Sequence, residues 1–145
     1  MKHFVILFLF VCCSLFSFAQ EDALGIWVTT DGVSHVEITK QGGKYSGKIV
    51  WLQKPTDSLG RPILDKYNLD KSKRTNLIMG TYILEGYDYD PESMCFTGGT
   101  IYDPRCGKTY KGRFWIDIDY RLNIRGYVGF VYQTEIWRRP RNPKQ

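Results

Sequence analysis

The chain has 145 residues, a formal net charge of +5, and 43% hydrophobic and 15% aromatic residues. That length argues against a multidomain assembly, and the aromatic share favours strands over helices. The basic clusters, Lys71-Ser72-Lys73-Arg74 and Arg138-Arg139-Pro140-Arg141, lack interleaved stacking aromatics. They read as solvated loops, and nucleic acid is not expected as a partner.

The first residues read as a signal peptide, 1–19. Lys2 precedes an apolar run over 4–11 that continues through Cys12, Cys13, Leu15 and Phe16 and ends in Ser17-Phe18-Ala19, small residues at the −3 and −1 positions of a cleavage site. Leu9-Phe10-Val11 offers no small residue ahead of Cys12, so a lipoprotein site is not expected. The mature protein is expected to start near Gln20 and to be periplasmic or secreted. It carries no further apolar run long enough for an integral membrane segment. About 126 residues, 20–145, then form one domain with a core of its own.

From there the pattern has period two. A first strand over 25–30 closes at Asp31-Gly32, a hairpin signal. A second over 33–40 sets Val36 and Ile38 against His35, Glu37 and Thr39. Gln41-Gly42-Gly43 turns into a third, 44–52, with Tyr45, Gly47, Ile49 and Trp51 on one face. Residues 54–76 break the rhythm with Pro55, Gly60, Pro62 and many charges, and a connection this long reads as a functional loop or lid. Strands are predicted again over 77–86, 94–103, 108–119, 121–130 and 132–138, followed by a basic tail, 140–145. The clearest alternation sets Phe114, Ile116, Ile118 and Tyr120 against Arg113, Trp115, Asp117 and Asp119. Eight strands in hairpin order predict an all-β fold, an antiparallel up-and-down barrel. Such a barrel is filled by side chains or holds one small ligand. Trp51, Ile49, Phe114, Ile116 and Ile118 are the inward bulk that would decide between the two.

Cys95 and Cys106 are the cysteines left after cleavage. An extended 95–103 would hold their ends roughly 25 Å apart at ~3.3 Å per residue, too far for a disulfide. A sharp bend at Gly98-Gly99 leaves the pairing open.

Five motifs occur together: Gly25-Ile26-Trp27, Gly47-Lys48-Ile49, the hairpin Gly98-Gly99-Thr100-Ile101-Tyr102-Asp103-Pro104 with Gly107-Lys108-Thr109-Tyr110, Arg125-Gly126-Tyr127-Val128-Gly129, and Trp137-Arg138. In this order they resemble the bacterial domain-of-unknown-function 2147 family, small exported proteins regarded as lipocalin-like barrels of the calycin type. The resemblance runs from about Leu24 to Arg139. It implies that Trp27 packs beneath the barrel with a late arginine, Arg138 or Arg139, across it. Where the family has a pattern resembling Asp-x-x-Asn-Pro-Asp, this chain keeps Asp65, Asn68 and Asp70 but has Leu69 in place of the proline.

Catalytic patterns are poor. His35 is the one histidine left after cleavage, on an alternating strand, so a nucleophile has no evident base, and no cofactor is expected. Asp117 and Asp119, about 7 Å apart on one strand face, would suit two-carboxylate chemistry on envelope glycans, but the same spacing suits a solvated face. Asp65, Asn68 and Asp70 supply oxygens for a hard cation, but the ligand set is incomplete, and Asp and Asn more often build turns, so no metal is expected. The candidate ligand-binding set is Tyr102, Asp103, Tyr110, Arg125 and Tyr127, in which tyrosines would wall an apolar body and a guanidinium would meet an anionic head; the same residues also fit a structural Arg-Asp pair locking the barrel among ordinary strand tyrosines. The expected function is therefore binding rather than catalysis: a small amphipathic or apolar ligand inside the barrel. The alternative is a filled barrel that engages an envelope protein partner.

Overall fold

The computed structural model describes residues 20–141. The predicted signal peptide and the end of the basic tail lie outside the described residues. Nine strands form one antiparallel sheet among them: β1 (Gly25–Val28), β2 (Ser34–Gln41), β3 (Lys44–Leu52), β4 (Tyr82–Asp90), β5 (Cys95–Thr97), β6 (Thr100–Asp103), β7 (Lys108–Ile116), β8 (Leu122–Val128) and β9 (Val131–Trp137). Neighbours run in the order β1-β2-β3-β4-β5-β7-β8-β9, with β6 pairing both β4 and β7. Val28 and Arg138 exchange backbone hydrogen bonds of 2.7 and 3.1 Å, so the two ends of this path meet.

The count is nine rather than eight because the predicted strand 94–103 is broken. Gly98 takes a φ of 80°, and a side chain at Gly99 would run into the Glu85 carbonyl and the Tyr87 ring. The chain steps there, so β5 pairs Asp88–Asp90 while β6 pairs Leu84 and Glu85 of the same strand. This is the bend that would have been needed to bring the cysteines together, and both remain free, Cys95 buried and Cys106 exposed.

The fourth strand also starts later than the predicted 77–86. Gly80 (φ 90°) turns the chain, and Gly86 (φ 75°) absorbs an irregularity that lets the strand continue to Asp90. Two predicted inward residues point elsewhere. The β2–β3 register shifts between His35 and Val36, pairing His35 with Trp51 but Val36 with Ile49. That extra residue turns Trp51 to the outer face, where its ring lies 4.4 Å from that of His35. β7 stops at Ile116 rather than running to 119, and Ile118 is 95% exposed.

The core sits on one face of the curved sheet. Trp27, Val36, Ile38, Tyr45, Leu84, Tyr87, Phe96, Phe114 and Leu122 are fully buried there. Phe96 and Phe114 stack at 4.4 Å and 10°, with Tyr45 edge-on to Phe96 at 4.7 Å and Tyr87 edge-on to Phe114 at 4.8 Å. Beyond the area each ring buries, such pairs contribute about 0.5–1.5 kcal/mol each. Arg139 lies 3.9 Å over the Trp27 ring and donates to the carbonyls of Asp22, Leu24 and Ile26, which decides between the two arginines proposed for that role.

Candidate functional site

The register sorts the sequence-predicted residues onto two faces. Phe114 opposes Ile124 and Ile101 opposes Tyr110, so Ile101, Asp103 and Tyr110 share the core face. Arg113 opposes Arg125 and Lys111 opposes Tyr127, so these four project outward, as does Tyr102. Three separate groups result from the five predicted residues.

Asp103 and Tyr110 meet at the end of the sheet formed by the β1–β2, β6–β7 and β8–β9 turns. Arg105 donates from Nε and Nη2 to Asp103 at 2.9 Å each and reaches Glu135 of β9 at 3.8 Å. It thereby spans the end of the sheet on the core side. Its hydrogen bonds, with burial opposing them, hold the Asp103 carboxyl below the ordinary value. The Tyr110 hydroxyl lies 3.7 Å from Cys106 Sγ, and that contact, followed by burial, raises the phenol pKa. Arg105 and Glu135 were not singled out from the sequence. The signal for Arg105 was its place two residues after Asp103 across a Pro turn, whereas Glu135 carried none.

Tyr102 turns instead to residues 54–76. Its hydroxyl donates to Asp65 at 2.6 Å, and burial together with that bond raises its pKa. Asp65, itself buried, also accepts from Asn68 Nδ2 at 2.7 Å. Asp70 caps the short 3₁₀ turn Lys71–Lys73 through the Ser72 amide and hydroxyl. The three candidate cation ligands are thus engaged in building turns. Among the described residues no group of His, Cys, Asp and Glu is placed to hold a metal. Between this segment and the outer face of β4 and β6 lies an open groove of about 730 Å³, lined by Asp65, Lys73, Tyr82, Glu85, Thr100 and Tyr102 among others.

Arg125 and Tyr127 belong to a third group, on the outside of β7, β8 and β9. The Arg125 guanidinium lies 4.2 Å from the Tyr132 ring and 5.1 Å from that of Trp115, and Nε donates to Thr134 at 2.8 Å. Arg113 covers the same indole at 5.4 Å, and Tyr127 and Tyr132 pair at 6.2 Å.

Asp117 and Asp119 do not form a carboxylate pair on a strand. Asp117 accepts from the amides of Asp119 and Arg121, from Arg121 Nε and from Asn123 Nδ2, all at 3.0 Å. A side chain used in this way ends β7 and builds the turn. These bonds outweigh burial and lower its pKa.

Residues 25–139 match the model of a family described as an uncharacterised protein conserved in bacteria, DUF2147. The chain belongs to that family. No curated protein matches this DUF2147 chain. Among solved structures it is similar to protein HP1028 from Helicobacter pylori, described as belonging to the lipocalin family. The TM-score is 0.70 and the identity 21%, over 84% of this chain and 85% of that one. At that identity the likeness speaks for the fold, an all-β lipocalin-like one. No helix among the described residues is long and apolar enough to cross a membrane.

Proposed function

We propose that this DUF2147 member is an exported lipocalin-like barrel with a side-chain-filled interior that works by binding at its surface. The observation that carries the reading is the aromatic stack of Phe96 and Phe114 with Tyr45 and Tyr87, which occupies the space where a lipocalin-like barrel would hold a ligand. Barrel closure is supported by the Val28–Arg138 pair and by Arg105 reaching from Asp103 to Glu135. Export is supported by the Lys2, apolar-run and Ser17-Phe18-Ala19 pattern. The surface with the chemistry of a binding face is the outside of β7–β9, where two arginines and three aromatic rings form one layer.

A second reading is favoured by one observation. Asp103, Arg105, Tyr110 and Glu135 are polar groups gathered at the end of the core side, suited to the head of a small amphipathic ligand. Native mass spectrometry of the protein purified from the periplasm separates the two. A bare polypeptide mass is expected from the filled interior. A reproducible adduct that disappears in Arg105→Ala would overturn that reading in favour of the second.

A further inference from the structure

The six residues Tyr127-Val128-Gly129-Phe130-Val131-Tyr132 form the β8–β9 turn and its flanks. Phe130 is fully exposed, and Val128, Val131 and Tyr132 are each more than half exposed. Single exposed apolar residues are ordinary on a protein surface, but a contiguous run at one hairpin tip marks an interaction site.

The charge behind this tip is of one sign. The outward positions of β7, β8 and β9 include Lys111, Arg113 and Arg125 and no acid, since Glu135 points to the core side and bonds Trp137 Nε1. None of the three cations has an ion-pair partner among the described residues, where other cations do. Arg125 uses only Nε within the protein among the described residues, so both its Nη groups are available to an anion.

Apolar, aromatic and cationic groups also follow one another in depth. Val128, Phe130 and Val131 stand at the end, the row of Lys111, Tyr127 and Tyr132 comes next, Arg113 and Arg125 follow, and Trp115 lies one row further back. From Arg125 to Val128 is about 10 Å at ~3.3 Å per residue. Interfacial elements bury their apolar groups about 5–10 Å deep, with aromatic rings at the headgroup level and cations at the phosphates. A flat protein partner would not require that order.

We propose that the β8–β9 tip and the outer face behind it dock on a bilayer surface rich in anionic lipid. This proposal rests on the surface-acting reading above and names its partner. Docking places the hairpin tip among the upper acyl chains and Lys111, Arg113 and Arg125 against lipid phosphates, with no change in the sheet.

The test is co-sedimentation of the purified full mature chain with phosphatidylcholine vesicles, with and without phosphatidylglycerol. Variants are Phe130→Ser with Val131→Ser, and Lys111→Gln with Arg113→Gln, each checked for unchanged thermal unfolding. The expected result is binding that needs phosphatidylglycerol and weakens with salt. The tip variant should lose at least tenfold, and the charge variant about fivefold per cation removed. Absence of vesicle binding, or binding indifferent to both variants, overturns the proposal. If in that case the protein self-associates on analytical ultracentrifugation and the tip variant abolishes it, the surface reading survives with a second copy as partner. A ligand adduct lost in Arg105→Ala, with no role for the tip, defeats both.

Discussion

Asp103 and Arg105 show how one short contact governs a charged group. Two guanidinium hydrogen bonds favour the carboxylate over the acid, and they outweigh the burial that opposes it, so the Asp103 pKa lies below its ordinary 3.8. A carboxyl depressed in the folded state adds stability above its unfolded value, and that contribution disappears as pH falls through the lower folded value. The acid limb of the stability curve below about 3.8 should therefore carry a part due to Asp103. In Arg105→Ala the Asp103 titration midpoint, followed by carboxyl carbon NMR, should rise toward the ordinary value. An unmoved midpoint would mean that the surrounding backbone, not the guanidinium, sets it. At this scale the sequence was informative for Asp103 and Tyr110, which flank one turn. It was silent on Glu135, because only the curvature of the sheet carries β9 within reach of Arg105.

Elements were legible where side chains alternate without interruption and illegible where one residue is added or dropped. β2 and β3 were read nearly residue for residue, since Val36, Ile38, Tyr45 and Ile49 repeat cleanly. Trp51 departs from the alternation because the shift at His35/Val36 reverses the faces beyond it, and a period-two pattern does not register such a shift. The break within 94–103 is hidden from the pattern for the same reason. Residues 54–76 were identified as a long connection, but what holds them was not visible. Tyr102 bonds Asp65, and Gly107, at φ 71°, packs so closely that a side chain there would strike the Tyr67 carbonyl. Gly107→Ala should therefore combine a left-handed backbone penalty with a lost contact, about 2 kcal/mol in all. The expected melting temperature is lower by roughly 5–10 °C. Hydrogen exchange should quicken at the amides of Asp65 and Asn68, both held by local carbonyls, while β2–β3 amides stay protected. Uniform quickening through the sheet would show that the contact serves global stability instead.

At the scale of the molecule, the contact between the two ends of the strand path is short. β1 has four residues, and through the last of them the two ends of the strand path share the Val28–Arg138 pair as their backbone bridge. So short a ladder leaves much of the join to side chains, and Arg139 is placed to supply it. Its guanidinium lies over Trp27, which is itself anchored by Nε1 donating to the Ala23 carbonyl at 2.9 Å. The same guanidinium bonds three carbonyls over 22–26, at 2.7, 2.7 and 3.1 Å, and so ties the segment before β1 to the chain after β9. The cation–π contact is worth ~0.5–2 kcal/mol, and hydrogen bonds from a charged group are worth ~1.5–3 kcal/mol each, less where water replaces them. Arg139→Ala should then cost about 3 kcal/mol in denaturant unfolding. Arg139→Lys should recover less than half, because a compact ammonium cannot lie flat on the indole while addressing three carbonyls spread around it. The Trp27 environment provides a second readout, since its near-UV circular dichroism should weaken in both variants before any loss of sheet signal. Full recovery by lysine would show that charge alone joins the two ends, and the planar geometry of Arg139 over Trp27 would then carry no energy of its own.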